Sequence, residues 1–182
     1  MSRRNIGDRG IKVVAHYEGE RKPGAGWNAK EQLYYPYKDP VGIWTIGLGT
    51  IAYPDGKRVS AKDKPINEME ANYLMNWELD EKEDAVVKMC QKTQLKLLDC
   101  QFDALVSMAY NCGVGILESG SSLRTALLTG NNLKIEKAML LYVKGTKKNW
   151  LGISYKVTLP GLVARRKTEF NLFANGDVKF YN

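Results

Sequence analysis

Apolar positions recur with helical spacing at the start of the chain, where Ile6, Val13, Val14 and Tyr17 fall on one face. The pattern predicts a helix from about Asn5 to Tyr17, with Gly19 as its stop. From there to about Gly56 the periodicity breaks, and Gly, Pro and aromatic residues dominate (Trp27, Tyr34, Tyr35, Pro36, Tyr37, Trp44, Gly47, Gly49). Short β-compatible runs such as Ile43-Trp44-Thr45-Ile46 between turn signals predict a small sheet with loops. After Pro65 helical periodicity returns. Asn67 with Glu70 has the spacing of a capping box, and Met69, Tyr73 and Trp77 recur every fourth residue along a long helix reaching about Cys90. Asp99 is the expected cap of the next helix, with Phe102, Leu105, Val106 and Ala109 inward. Ser121 or Ser122 caps a short helix ended by Gly130, and another covers roughly Leu133 to Val143. Gly145–Leu159 reads as irregular, and a last helix runs from near Pro160 to Phe173, before Gly176.

The elements describe an α+β fold in two lobes: a small β-rich lobe over about 19–62 and a larger helical lobe over 63–182, joined by a long helix, with helix 5–18 packing onto the second. They form a single domain, and a cleft between two such lobes is the expected ligand site. With 182 residues the chain can bury a core without staples.

Composition adds modest constraints. Lys plus Arg number 27 against 20 Asp plus Glu, a formal net charge of +7 that attracts anionic polymers or surfaces. The cations are dispersed rather than gathered in a tail. No apolar run approaches the ~20 residues of a membrane span, and the first ten residues lack the apolar stretch of a secretory signal. The expectation is a protein made in the cytoplasm, without stable membrane insertion. Cys90, Cys100 and Cys112 form no CxxC pair and the one histidine is His16, so the reading is reduced thiols in helices, no metal site and no cofactor.

Three segments carry candidate chemistry. His16-Tyr17-Glu18-Gly19 places a carboxylic acid at the last turn of an amphipathic helix. Aromatic neighbours and the partial negative charge of the helix C-terminus both disfavour its ionisation, which suits a general acid. Taken alone, a solvated helix-end Glu is the commoner case. Tyr37-Lys38-Asp39-Pro40-Val41-Gly42-Ile43-Trp44-Thr45-Ile46-Gly47-Leu48-Gly49-Thr50 holds a second carboxylate in a turn and a hydroxyl in a strand. Gly47 and Gly49 allow either tight hairpin geometry or the close approach of a ligand. In the third, Gln101 to Gly113, a helix ends in Asn111-Cys112-Gly113.

Glu-Gly closing a first helix, followed by Tyr-x-Asp-x-x-Gly-x-Trp-Thr-Ile-Gly-x-Gly, resembles the active-site stretch of the phage lysozymes, glycoside hydrolase family 24. The resemblance runs from about Ile6 to Gly176 and implies a lysozyme-like fold and a muramidase acting on peptidoglycan glycan strands. It implies that Glu18 donates a proton to the glycosidic oxygen while Asp39 and Thr45 hold the attacking water. Inversion through a held water needs the carboxyls about 6.5–9.5 Å apart. The family's Asn-x-Gly helix end makes Asn111, with Gly113, the candidate saccharide contact. The Gly-Leu-x-x-Arg-Arg-x-x-Glu segment makes Arg165 and Arg166 candidates for substrate carboxylates, or else for pairing with Glu169 on a solvated face.

Two departures stand out. Glu20 to Gln32 reads as an insertion that forms an exposed loop, and Thr50 stands where the family often has a structural His. The resemblance further implies an endolysin, a monomer that reaches its periplasmic substrate after a holin-type partner opens the membrane. With no linker to a wall-binding module, a thin wall suits it better than a thick one. The alternatives are a lytic transglycosylase, which needs no held water, and a non-catalytic basic domain for wall polymer or nucleic acid. The Asp39/Thr45 pair argues against the former, and nucleic acid is not the expected partner.

Overall fold

The computed structural model describes residues 4–19, 23–39, 42–148, 150 and 153–182. The chain divides into two compact units, Met1–Val13 with Lys82–Asn182, and Val14–Glu81. Each division falls inside a helix: α1 (Asp8–Tyr17) and α2 (Glu68–Thr93) each contribute to both.

The larger unit is built around α3 (Asp99–Cys112), in which every residue from Phe102 to Ala109 is buried. A helix buried on all sides must find partners for its polar side chains. It carries two. The Asp103 carboxylate accepts from Gly7 N at 2.8 Å, and Ser107 Oγ donates to Glu169 at 2.8 Å. Glu83 of α2 accepts from Ile6 N at 2.8 Å, so two acidic side chains pin the segment leading into α1. This segment is not helical, and α1 starts at Asp8 rather than near Asn5. Helix α6 (Pro160–Asn175) packs on α3, begins with Pro160 and ends at Gly176, whose φ of 70° is the left-handed cap the sequence predicts. Between them lie α4 (Ser122–Leu127), capped by Ser121 Oγ at 3.1 Å from Arg124 N, and α5 (Asn132–Met139).

Three expectations need correction. Gly145–Leu159 is largely an antiparallel hairpin, β5 (Lys144–Lys148) with β6 (Ser154–Thr158). Asp99 does not cap α3: the cap position is Leu98, whose N–H donates to Gln101 Oε1 at 3.0 Å, while Asp99 pairs with Arg4 at 2.9 Å. Helix α5 stops at Met139, short of Val143. The Met69-Tyr73-Trp77 stripe faces outward, with Met69 81% exposed, and α2 buries Ala71, Leu74, Met75 and Leu79 instead. Both stripes have helical spacing, and the second is the more aliphatic.

The smaller unit has little regular structure. β1 (Trp27–Asn28) pairs with β2 (Leu33–Tyr34), and β3 (Tyr37–Lys38) pairs with β4 (Trp44–Thr45), all antiparallel. Residues 20–22 of the predicted insertion lie outside the described residues, and the rest forms a 3₁₀ turn (Pro23–Ala25) and the β1–β2 hairpin. Tyr34, 1% exposed, anchors it: its ring stacks near Trp27 (centroids 4.7 Å apart) and its backbone exchanges two hydrogen bonds with Ile66. Ile46, Leu48 and Val59 complete this core.

The capping box before α2 forms as its spacing predicts, with Asn67 Oδ1 accepting from Glu70 N at 2.9 Å and Glu70 Oε2 from Asn67 N at 2.8 Å. Asn67→Ala is expected to cost about 1 kcal/mol and lower the thermal midpoint by roughly 2–4 °C, read by calorimetry.

Candidate active site

The smaller unit brings Glu18, Asp39 and Thr45 around one tyrosine. Glu18 is the residue after α1, half-buried, and its N–H still donates to Val14 O at 2.9 Å, so the carboxyl sits on a helical scaffold. Its Oε2 lies 3.0 Å from where a Cβ on Gly49 would stand, and Gly49 has a φ of 99°. The glycine therefore serves the close approach of the chain's own carboxylate, where the sequence suggested hairpin geometry or the approach of a ligand.

Asp39 closes the β3–β4 hairpin. Its N–H donates to Ile43 O at 2.9 Å, its Oδ1 accepts from Ile43 N at 2.8 Å, and its carbonyl accepts from Gly42 N at 2.9 Å. The carboxylate is thus held by its own turn; Pro40 and Val41 lie outside the described residues. Tyr37 pairs with Thr45 in this hairpin, and the same register sets Asp39 opposite Ile43. Alternation along the strands then puts Tyr37, Asp39 and Thr45 on one face. Thr45 is 3% exposed, and its hydroxyl donates to Ile43 O at 3.2 Å.

Tyr37 reports on this geometry. Its phenol is pushed above the ordinary 10.0 by burial first, then by the negative charge of Glu18, then by that of Asp39. Both carboxylates therefore act on the same hydroxyl. Sequence reading quoted Tyr37 only as a motif position, and no periodicity or spacing signals its place between the two acids. Thr50 is fully buried and its backbone pairs with Ile46 on both sides of the glycine turn.

The substrate candidates of the larger unit form a different kind of site. Arg165 (3% exposed) and Arg166 (0%) both meet Glu169 (0%), with Arg165 Nε at 3.2 Å and Arg166 Nε at 2.7 Å from its oxygens. The pairing with Glu169 is present, but on a buried face, not a solvated one. Arg166 Nη2 also donates to Asn111 Oδ1 at 2.9 Å, and Nη1 to Cys112 Sγ at 2.6 Å. Burial raises the Cys112 thiol pKa despite the nearby Arg166 charge. Asn111 is exposed, and Gly113 takes a φ of 80° as the cap of α3, donating to Ala109 O at 2.8 Å. The three cysteines are unpaired, and no metal-binding cluster occurs among the described residues.

The family model for phage lysozyme matches residues 31–169. The chain belongs to the phage lysozyme family. It is accordingly an enzyme of the lysozyme type with a lysozyme-like fold. It is 33% identical over 175 residues to an endolysin of Bacillus phage B103, spanning 96% of this chain but only 56% of that protein. It is 30% identical over 142 residues to the endolysin of Salmonella phage P22, covering 78% of this chain and 86% of that one. Among solved structures, an endolysin from Escherichia coli O157:H7 phage FAHEc1 superposes with a TM-score of 0.78 at 26% identity, over 98% of both chains.

Two outcomes test the geometry of this lysozyme-type site. Glu18→Gln removes a negative neighbour, so the Tyr37 pKa is expected to fall toward 10.0, followed by NMR of ring-labelled tyrosine. Asp39→Asn lowers it by less. An unmoved Tyr37 titration would show that the carboxylates lie elsewhere. Gly49→Ala places a methyl group against Glu18 at a backbone conformation unsuited to a side chain, and is expected to cost about 1–3 kcal/mol in denaturant unfolding.

Proposed function

We propose that this domain is a muramidase that hydrolyses the β-1,4 bond between N-acetylmuramic acid and N-acetylglucosamine in bacterial peptidoglycan, with inversion at the anomeric carbon. The observation that carries the reading is the shared influence of Glu18 and Asp39 on Tyr37: two carboxyls from separate elements stand close enough to act on one group. Glu18 gives its proton to the departing glycosidic oxygen. The attacking water donates one hydrogen bond to Asp39, which takes its proton, and one to Thr45 Oγ. The Thr45 hydrogen is committed to Ile43 O, so that oxygen faces the water as an acceptor. Asp39 is likewise engaged by the Ile43 amide through Oδ1, which leaves Oδ2 to serve as the base. A held water rather than a covalent intermediate is what distinguishes this arrangement from a retaining pair.

In the larger unit, Asn111 is the saccharide contact. Its amide oxygen is occupied by Arg166, so it presents N–H donors and reads an acceptor such as an acetamido carbonyl. Gly113, as the cap beside it, lets backbone approach the sugar. Arg165 and Arg166 are positioning residues in this reading, since buried guanidiniums paired with Glu169 hold Asn111 rather than meet substrate. The cellular setting that goes with this reading is synthesis in the host cytoplasm, release by a holin-type partner, and action as a monomer on periplasmic peptidoglycan. No helix among the described residues is long and apolar enough to cross a membrane.

The deciding experiment digests purified peptidoglycan and identifies the new ends by mass spectrometry and NMR. Hydrated N-acetylmuramic acid reducing ends, formed first as the α anomer, are expected; anhydro ends or a β anomer would overturn the mechanism. Glu18→Gln should lose about 10²–10⁴ of the clearing rate with an unchanged thermal midpoint. Wild-type clearing by that variant would remove Glu18 from the chemistry.

A further inference from the structure

The β5–β6 hairpin was not foreseen in the sequence and takes no part in the chemistry above. Its strands pair in register from Lys144 opposite Thr158 to Lys148 opposite Ser154. Only Gly145 and Val157, opposite each other, are half-buried among the strand side chains described; Lys144, Thr146, Ser154, Tyr155, Lys156 and Thr158 are exposed. Between the strands Trp150 is 91% exposed and Ile153 59%, and Tyr155 follows at 48%. The charge is as one-sided as the exposure. Residues 144–158 hold four lysines and no acid, and no Asp or Glu occurs anywhere from Lys137 to Thr168.

An isolated two-stranded ribbon is marginal in water, and exposed tryptophan, isoleucine and tyrosine make it more costly still. Lysines alone suit any polyanion. Lysines flanking a protruding tryptophan suit a surface that offers negative charge outside and apolar volume just beneath. Tryptophan and tyrosine rings settle at headgroup depth, and lysine stems bury their methylenes while the ammonium stays among the phosphates. We infer that the 144–158 hairpin is a docking element for an anionic phospholipid surface, with Trp150 entering the interface and Lys144 and Lys156 meeting lipid phosphates. The contact is peripheral: four lysines and a few apolar side chains give reversible, salt-sensitive binding. This inference stands apart from the assignment of Glu18 and Asp39, since the hairpin supplies no group to the reaction.

Sedimentation of the whole protein with vesicles tests it. Binding is expected to mixed phosphatidylglycerol–phosphatidylcholine vesicles at low salt and not to phosphatidylcholine alone. Trp150→Ala should weaken it about tenfold. Lys144→Gln with Lys156→Gln should weaken it roughly 25-fold, about fivefold for each lysine. Thermal midpoints and turnover of vesicle-free peptidoglycan should stay at wild type in both variants, whatever role Glu18 has. Failure to bind anionic vesicles, or binding that Trp150→Ala leaves intact, overturns the inference. So does a loss of peptidoglycan turnover in Trp150→Ala, which would make the hairpin a glycan contact. Tighter retention of single-stranded DNA than of vesicles, lost in Trp150→Ala, would assign it to nucleic acid instead.

Discussion

The candidate site depends on one close approach, that of the Glu18 carboxyl to the backbone of Gly49. A side chain at Gly49 would stand 3.0 Å from Glu18 Oε2, and a φ of 99° is one that L-residues seldom adopt. The glycine turn that accepts the carboxyl is itself fastened by the reciprocal Ile46–Thr50 hydrogen bonds, directly after the strand that holds Thr45 opposite Tyr37. The end of a helix and a hairpin thereby meet at a point where only glycine fits without strain.

The larger unit is organised around buried charge. Arg165, Arg166 and Glu169 are all nearly or wholly removed from solvent, an arrangement whose desolvation cost is offset only when the geometry is good and the remaining donors are used. Much of that capacity is used: Arg166 donates to Cys112 and Asn111 and Ser107 donates to Glu169, while Arg166 Nε and Glu169 Oε2 meet as an ion pair at 2.7 Å without a hydrogen bond. Breaking such a cluster by removing one partner costs on the order of 3–5 kcal/mol, so it acts as a rigid clamp on the end of α3.

Much of this was legible in the sequence, and the reasons differ by residue. The capping box at Asn67 and Glu70, the Ser121 cap and the Pro160 and Gly176 boundaries are local chemistry, decided within a few residues, and each lies where the pattern puts it. The site motif was legible because glycines and turn residues at fixed offsets admit few backbones. What stayed hidden depends on distant partners. Asp99 looked like a cap because nothing local shows that Arg4 claims it. Arg165 and Arg166 looked solvated because their i+3 and i+4 partner is equally at home on a surface. Tyr37 is legible as a motif position, but nothing local shows that both Glu18 and Asp39 act on it.

The hairpin at 144–158 was missed for a related reason. Strand patterns are recognised by alternation of apolar and polar residues, which presupposes that one face is buried. Among the strand side chains described only Gly145 and Val157 are half-buried, so the burial that marks a strand is weak, and Lys, Thr and Ser read as loop. The core of the chain accounts for little of such a ribbon. Its composition has to answer to something outside the fold, and the composition is cationic around an exposed tryptophan. The hydrophobic effect that organises both cores thus also sets the demand at this exposed element, where the apolar area left in water is a cost that folding alone does not remove.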